Sequence, residues 1–131
     1  MWELSTDQGG RYITEWAEVE SALSRLDNHT HAYLSLALED GTRYIEVYGG
    51  HQGRMLVAFT IETDDEDEVV LYDETQTEPI SIYSMTDNET WEHLPSACCV
   101  DQALAKQALR YFFDTEERDD SLDWRAWPET E

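Results

Sequence analysis

A strict two-residue alternation between residues 33 and 61 is the feature that most limits how this chain can fold. Leucine occupies every second position from 34 to 38, and large apolar residues occupy every second position from 55 to 61. Successive side chains of a strand point to opposite faces, so both stretches predict strands with one buried face. Turn-forming residues at 39–42 and a further strand over 43–48 lie between them, which predicts an antiparallel meander.

Two segments on either side of these strands have a helical period instead. Residues 14–27 form the first, with Thr14 as the expected N-cap, and residues 101–113 form the second, with Asp101 as the expected N-cap. Their apolar positions, spaced mainly three and four residues apart, are Trp16, Val19, Leu23 and Leu26 in the first helix and Ala103, Leu104, Ala108, Tyr111 and Phe112 in the second. Each helix must cover one apolar face, so Trp16 and Phe112 are expected in the core.

Three shorter apolar runs, at residues 69–72, 80–83 and 121–124, predict further strands. Residues 85–97 show no clear period and are expected to form a loop. The expected fold class is therefore α+β, with an antiparallel five- to six-stranded meander sheet and two amphipathic helices packed on one face.

The chain has 131 residues, which is the usual size of one domain. Neither an internal repeat nor a linker-like segment divides it. We expect a single domain over residues 1–131, with a core at about 12–124 and an acidic C-terminal tail at 125–131.

The charge of the chain is strongly one-sided. Thirty acidic residues stand against eight basic ones, for a formal net charge of -22. Such a charge disfavours direct binding to nucleic acid or to an anionic membrane, and it attracts cationic proteins into encounter. It predicts a basic protein partner; the alternative is that the acidity serves only solubility or a salty cytoplasm.

The two cysteines, Cys98 and Cys99, are adjacent, which is too close for an ordinary disulfide. They are expected to be small buried hydrophobic residues in a reducing compartment. Residues 1–10 show neither a basic patch nor an apolar run. We therefore expect a cytoplasmic protein.

None of the familiar catalytic patterns is convincing. Gly49, Gly50 and Gly53 lead into a strand and lack the Lys and Ser/Thr of a phosphate-binding loop. His29 and His31 lack a third metal ligand at a recognisable spacing. We expect no catalytic residue, metal or cofactor, and keep as a competing hypothesis an enzyme that uses carboxylates or this histidine pair.

Residues 62–68 carry six carboxylates in seven positions between two apolar strands. A calcium loop would need a central glycine, which is absent. One interpretation is a solvated connection that prevents aggregation of the sheet edge; the other is a negative finger that enters or covers a basic cleft. The candidate partner-binding residues of this segment and its expected extension are Asp64, Asp65, Glu66, Asp67, Glu68, Asp73 and Glu74, with Glu78 continuing the same surface.

A second group of interface candidates lies on one predicted strand. Tyr44, Glu46 and Tyr48 alternate with apolar residues, so they share one face. A carboxylate between two tyrosines is more typical of an exposed or partner-binding face than of a core, and tyrosine is favoured at interface hot spots. We therefore predict that these three residues contact the partner.

The C-terminal stretch Ala-Leu-Arg-Tyr-Phe-Phe-Asp-Thr, residues 108–115, is followed by Leu-Asp-Trp at 122–124. Together with the order helix, meander with a glycine break, helix and short strand, it resembles a family of bacterial immunity proteins associated with deaminase toxins. In that family the helix ends in a Phe and a Thr-Gly turn with a nearby Pro, and a strand with a hydrophobic-x-Trp pattern follows. Here Glu116 stands where the Gly is expected, and Asp119 stands near the expected Pro.

The resemblance, over roughly residues 14–124, implies a cytoplasmic protein that binds a cognate toxin domain one-to-one. It would occlude the active site or the basic substrate groove of a toxin that acts on nucleic acid. An acidic mimic of nucleic acid, which inhibits a host nuclease or DNA-binding protein, explains the charge equally well. The two hypotheses differ in the range of partners, because an immunity protein protects against one toxin and a mimic inhibits unrelated partners.

Overall fold

The computed structural model describes residues 2–27, 31–51, 53–62, 67–77, 82–84, 89–91 and 96–126. Within these ranges the strands are β1 (Trp2–Thr6), β2 (Gly9–Ile13), β3 (Tyr33–Leu38), β4 (Arg43–His51), β5 (Arg54–Ile61), β6 (Asp67–Tyr72), β7 (Ile82–Ser84), β8 (Glu89–Trp91), β9 (Val100–Asp101) and β10 (Asp123–Arg125). The helices are α1 (Trp16–Ser24) and α2 (Gln102–Thr115), and a short 3-10 turn, η1, covers Ser96–Cys98.

Eight of these strands form one antiparallel sheet in the order β10-β6-β5-β4-β3-β1-β2, with β9 paired to β5 off this path. Strands β7 and β8 pair separately. The run from β3 to β6 is the expected meander. The α+β class, the antiparallel sheet and the two helices are thus confirmed, while the main sheet has eight strands rather than five or six.

The N-terminal hairpin, β1 and β2, accounts for most of the difference. Its first strand pairs with β3, where Leu4 lies opposite Leu36 in the core. Trp2 is buried as well, so the core begins well before position 12. Strand β2 is a poor sequence signal because it opens with two glycines and its only buried residue is Ile13.

Of the two N-caps predicted from the sequence, one is confirmed and the other is wrong. Asp101 caps α2, and its carboxylate accepts a hydrogen bond from the Leu104 backbone N–H at 2.9 Å. Helix α1 begins at Trp16 with Glu15 as its N-cap and no side-chain cap, so the prediction for Thr14 is wrong. The expected loop at residues 85–97 contains β8 and the start of η1.

Both helices pack on the same face of the sheet. Phe59 of β5 and Phe112 of α2 are almost completely buried there, with ring centroids 5.2 Å apart. Trp2 meets the ring of Phe112 edge-on at 4.9 Å, and the partly buried Trp16 packs against the same cluster. The core positions predicted for Trp16 and Phe112 are confirmed, and this helix-covered face carries the main hydrophobic core.

Gly50 lets the C-terminal end of α1 lie directly against β4. It has a φ of +106°, and a Cβ at this position would stand 2.4 Å from the carbonyl carbon and oxygen of Leu26. Only glycine fits both the left-handed backbone and the close approach. The chain just beyond α1 is thereby held against the sheet.

Candidate partner-binding surface

The face of the sheet opposite the helices, called the outer face, carries the alternate side chains of the meander. The strand register places Tyr44 opposite Thr60, and Thr60 opposite Glu68, in one cross-strand row. A neighbouring row runs from Ser35 through Glu46 to Ala58. The outer face has a covered part and an open part.

The covered part lies beneath the segment that precedes α2. Leu56, Ala58 and Val70 are fully buried there against Cys98 and Cys99, in a second and smaller core cluster. Strand β7 also lies against β4. This part of the outer face is therefore structural.

Arg54 fastens that covering segment to the sheet. Its guanidinium donates hydrogen bonds to the carbonyl oxygens of Cys99 at 2.7 Å and Ser96 at 3.0 Å. The thiols below are buried and form no disulfide, as expected for small hydrophobic residues. The hydrogen bond with Cys99, together with burial, raises the pKa of the Cys98 thiol, so it is held in the unreactive protonated form.

The rest of the outer face is an acidic surface with two half-buried tyrosines. We call it the acidic tyrosine patch and define it as Tyr33, Tyr44, Glu46, Glu62 and Glu68, with the fully buried Thr60 beneath them. At its centre one carboxylate oxygen of Glu46 accepts hydrogen bonds from the hydroxyl of Tyr48 at 2.8 Å and from that of Tyr33 at 3.2 Å. The patch thus contains two of the three strand residues predicted from alternation, Tyr44 and Glu46, and the buried Tyr48 supports it from the covered side.

Burial governs the electrostatics of this centre. It raises the pKa of Glu46, the two tyrosine hydrogen bonds oppose that rise, and the negative charge of Glu68 adds to it. Burial and the neighbouring Glu46 charge raise the pKa of Tyr33 to about 12. The groups acting on Glu46 include no basic side chain among the described residues. Its charge is partly desolvated and has no counterion in the part of the chain that the structure describes, which is an unfavourable state.

Two further carboxylates of the patch, Glu62 and Glu68, lie at the end where β5 meets β6. The hydroxyl of Tyr44 donates to Glu62 at 3.4 Å, and that of Thr60 donates to Glu68 at 3.0 Å. These two acidic residues flank the dense acidic segment. Within it, Asp64, Asp65 and Glu66 lie outside the described residues, as does the side chain of Asp67, whose backbone belongs to β6.

Asp73 and Glu74 do not join this surface, because they follow the opposite end of β6. A strand of six residues at about 3.3 Å per residue separates them from the acidic segment by roughly 20 Å. Asp73 accepts hydrogen bonds from the Thr75 hydroxyl and backbone N–H, which lower its pKa. Glu74 forms an ion pair with Arg125. Both carboxylates therefore stabilise the local turn and the last strand; Glu78 lies outside the described residues.

Most of the basic side chains are held by carboxylates away from the patch. Arg43, at the start of β4, points toward the end of α2 and pairs with Glu117 at 2.8 Å. The other ion pairs between described basic and acidic residues are Arg11–Glu18, Lys106–Glu20, Arg110–Asp114, Arg118–Asp120, Arg125–Glu74 and Arg125–Asp123. These ion pairs lie outside the patch, and none of them involves a carboxylate of the patch.

The patch carries hydrogen-bond acceptors and aromatic rings. No group of three or more His, Cys, Asp or Glu side chains in the described ranges is arranged to hold a metal ion. His31 lies 3.9 Å from Asp7, and His29 falls outside the described residues. Neither described helix has the length and apolarity needed to cross a membrane. What this surface can do chemically is accept hydrogen bonds and cations.

The C-terminal turn explains the pattern of residues after α2. The Thr115 hydroxyl donates to the carbonyl of Tyr111 at 2.8 Å and accepts from the Glu117 backbone N–H at 3.1 Å. Glu116 is the C-cap of the helix and has the left-handed conformation, with a φ of 63°. Its backbone N–H donates a hydrogen bond to the carbonyl oxygen of Phe112. Glycine is the usual residue in this conformation, so the turn is the one a Thr-Gly sequence favours.

Beyond the turn, Asp119 holds the connection to β10. It is almost fully buried and accepts hydrogen bonds from the Ser121 hydroxyl at 2.6 Å and backbone N–H at 3.1 Å. Its carbonyl accepts from the Trp124 indole N–H at 2.9 Å. The buried turn positions the Trp124 ring beside Phe59, with centroids 6.0 Å apart.

Comparison with known families agrees with this arrangement. The model of the family described as Immunity protein Imm1 matches residues 7–126, which is most of the chain. No curated protein matches the chain. The match confirms the resemblance to immunity proteins, while the family description names neither a toxin nor a reaction.

Proposed function

We propose that this protein, which belongs to the Imm1 family of immunity proteins, neutralises its cognate toxin with the acidic tyrosine patch. Family membership implies binding of a toxin. The finer proposal is a one-to-one complex, formed in the cytoplasm, in which the patch occludes the active site or basic substrate groove of a deaminase-type toxin. Inhibition is then steric and electrostatic, without chemistry on the toxin.

The partly desolvated charge of Glu46, without a counterion among the described residues, is the observation that carries this proposal. A lysine or arginine of the toxin placed over it replaces lost water with a charge-assisted hydrogen bond. The adjacent tyrosines add rigid contact area at low entropic cost. Such residues are typical of the centre of a protein interface.

A toxin that acts on nucleic acid suits this surface because its groove must hold phosphates. Lysine and arginine side chains supply most of the affinity for a phosphate backbone. Carboxylates at Glu46, Glu62 and Glu68 compete for the same cations. The dense acidic segment joining β5 to β6 extends this competition, since its two flanking residues belong to the patch.

The net charge of -22 makes the rate of capture sensitive to salt. Long-range attraction raises association rates at low ionic strength, and salt screens it. We expect the association rate constant with the toxin to fall steeply as sodium chloride is raised, while the dissociation rate changes less. Association that is insensitive to salt would argue against electrostatic capture.

Coexpression with the toxin domain encoded by a neighbouring gene tests the function itself. The wild-type protein should restore growth and give a one-to-one complex by light scattering. The double variant Glu46→Gln/Glu68→Gln should lose protection. The matched control, Asp114→Asn/Asp120→Asn, removes the same charge from ion pairs outside the patch and should protect normally. Equal protection by both variants would contradict the patch, and inhibition of unrelated nucleases would favour the nucleic-acid mimic.

The acidic segment needs its own experiment. Replacing Asp64, Asp65, Glu66, Asp67 and Glu68 by Asn or Gln should slow capture of the toxin while the circular dichroism spectrum stays unchanged. Unchanged affinity and association rate would assign the segment to solvation of the sheet edge alone.

A further inference from the structure

A second potential contact point is a pocket at the N-terminal end of the sheet, outside the acidic tyrosine patch. It lies between the β1–β2 turn, the end of α1 and the start of β3, and its volume is about 160 Å³. Its polar lining residues include Thr6, Asp7, Arg11, Arg25, His31 and Tyr33. Tyr33 also belongs to the patch, so the pocket adjoins the proposed interface.

Asp7 provides the unusual feature of this pocket. Its side chain is only 4% exposed, and one carboxylate oxygen accepts a hydrogen bond from the Ala32 backbone N–H at 2.9 Å. The other oxygen, Oδ1, is buried without a hydrogen-bond partner. The nearest nitrogen recorded for it is Nδ1 of His31 at 3.9 Å, which is beyond hydrogen-bond distance. A buried carboxylate oxygen left in this way costs free energy.

We propose that this pocket receives a lysine or arginine side chain of the toxin, which donates a hydrogen bond to Oδ1 of Asp7. The inference rests on the proposed function for the identity of the partner. The unsatisfied atom is an acceptor with a negative charge, so it selects a cationic donor over an anion. A cavity of about 150 Å³ holds a group the size of benzene, so the end of either side chain fits.

The basic residues of the lining do not cancel this preference. Arg11 pairs with Glu18 at 3.6 Å, so its charge near the pocket is already offset. Arg25 is exposed at the end of α1. A partner cation therefore meets the buried Asp7 carboxylate beside an Arg11 charge that is already offset, and it extends the contact that begins at Tyr33.

A titration without toxin tests the pocket directly. Propylguanidinium serves as the probe for an arginine side chain, and propylurea is its neutral analogue of the same shape. We expect propylguanidinium to shift the Ala32 amide resonance saturably, with affinity about tenfold above that of propylurea. Asp7→Asn should weaken propylguanidinium binding about tenfold, whereas Asp120→Asn, which removes an exposed charge, should not. Equal binding of both probes to the wild-type protein, or no saturable shift at Ala32, would overturn the proposal.

A second experiment uses the complex with the toxin. Asp7→Asn should raise the dissociation rate about tenfold, because a buried contact is lost, while Asp120→Asn should leave that rate unchanged. A complex whose dissociation is unaffected by Asp7→Asn would overturn the pocket and leave the proposed function intact. Absence of any complex would refute the proposed function, and the probe titration would still decide what the pocket binds.

Discussion

The phenolic oxygen of Tyr48 lies 2.8 Å from Oε2 of Glu46, two residues earlier on the same strand face. Tyr33, across the hairpin, donates to the same oxygen. Two hydroxyl groups thus hold a carboxylate whose partial burial raises its pKa. The protein maintains a charge that does not favour its own folding, at the centre of the acidic tyrosine patch.

Glu46→Gln should therefore stabilise the free protein at neutral pH and weaken the complex. A carboxyl group whose folded pKa is raised stabilises the fold fully below its unfolded pKa, and that stabilisation is lost as the pH rises through the folded value. The difference in free energy of unfolding between variant and wild type should consequently shrink as the pH falls to about 4, near the unfolded pKa of glutamate. Urea denaturation across this range measures it. A variant less stable than the wild type at neutral pH would contradict the role of burial.

Tyr48→Phe should raise the pKa of Glu46 further. The hydroxyl lost in this variant stabilises the ionised carboxylate, and burial is then less opposed. Carbon-detected NMR titration of the Glu46 carboxyl gives the pKa directly. Tyr44→Phe is the matched control, because the Tyr44 hydroxyl donates to Glu62 instead; an equal effect from both variants would refute the specific role of Tyr48.

Glu116→Gly should stabilise the fold by about 1 kcal/mol, because a residue with a side chain pays roughly that much to adopt the left-handed conformation. The Glu116 carbonyl, which accepts a hydrogen bond from Arg43 at 3.1 Å, is retained in the variant. Chemical denaturation measures the gain. Glu117→Gly, which removes the ion pair with Arg43, should give no such increase.

Asp119→Ala should lower the free energy of unfolding by about 1 kcal/mol, since it removes the buried carboxylate that accepts from the Ser121 hydroxyl and backbone N–H. Hydrogen bonds from Ser121 lower the Asp119 pKa. The stabilisation is accordingly present above the unfolded pKa of aspartate and lost as the pH falls through the folded value. Thermal unfolding at neutral and acidic pH tests both statements. Asp120→Ala, at an exposed neighbour, should change stability by less than about 0.5 kcal/mol.

The parts of the fold and surface that could be predicted from sequence are those set by local pattern. Alternation in residues 33–61 correctly predicts β3 to β5 and the shared face of Tyr44, Glu46 and Tyr48. The N-cap at Asp101 is equally local, because its partner is three residues away.

The remaining parts depend on contacts between distant segments. Strand β1 owes its place to pairing with β3, and Asp7 meets the Ala32 N–H across twenty-five positions. Neither contact has a signal in the intervening sequence. Asp73 lies far from the acidic segment because the two are joined by strand β6, and the two ends of a strand are far apart in space. Tyr33 had a usable signal, since the predicted hairpin already places it on the face of Glu46.

Because the two faces of the sheet carry different residues, binding specificity can change independently of the hydrophobic core. In β4 to β6 the side chains under the helices are at odd positions, such as Val57 and Phe59, and those of the acidic tyrosine patch are at even positions. Under the proposed function, exchanging residues 44, 46 and 68 should therefore alter recognition without repacking the helices. The same fold could therefore bind toxins of different shape, through natural divergence or design, while its hydrophobic core stays unchanged.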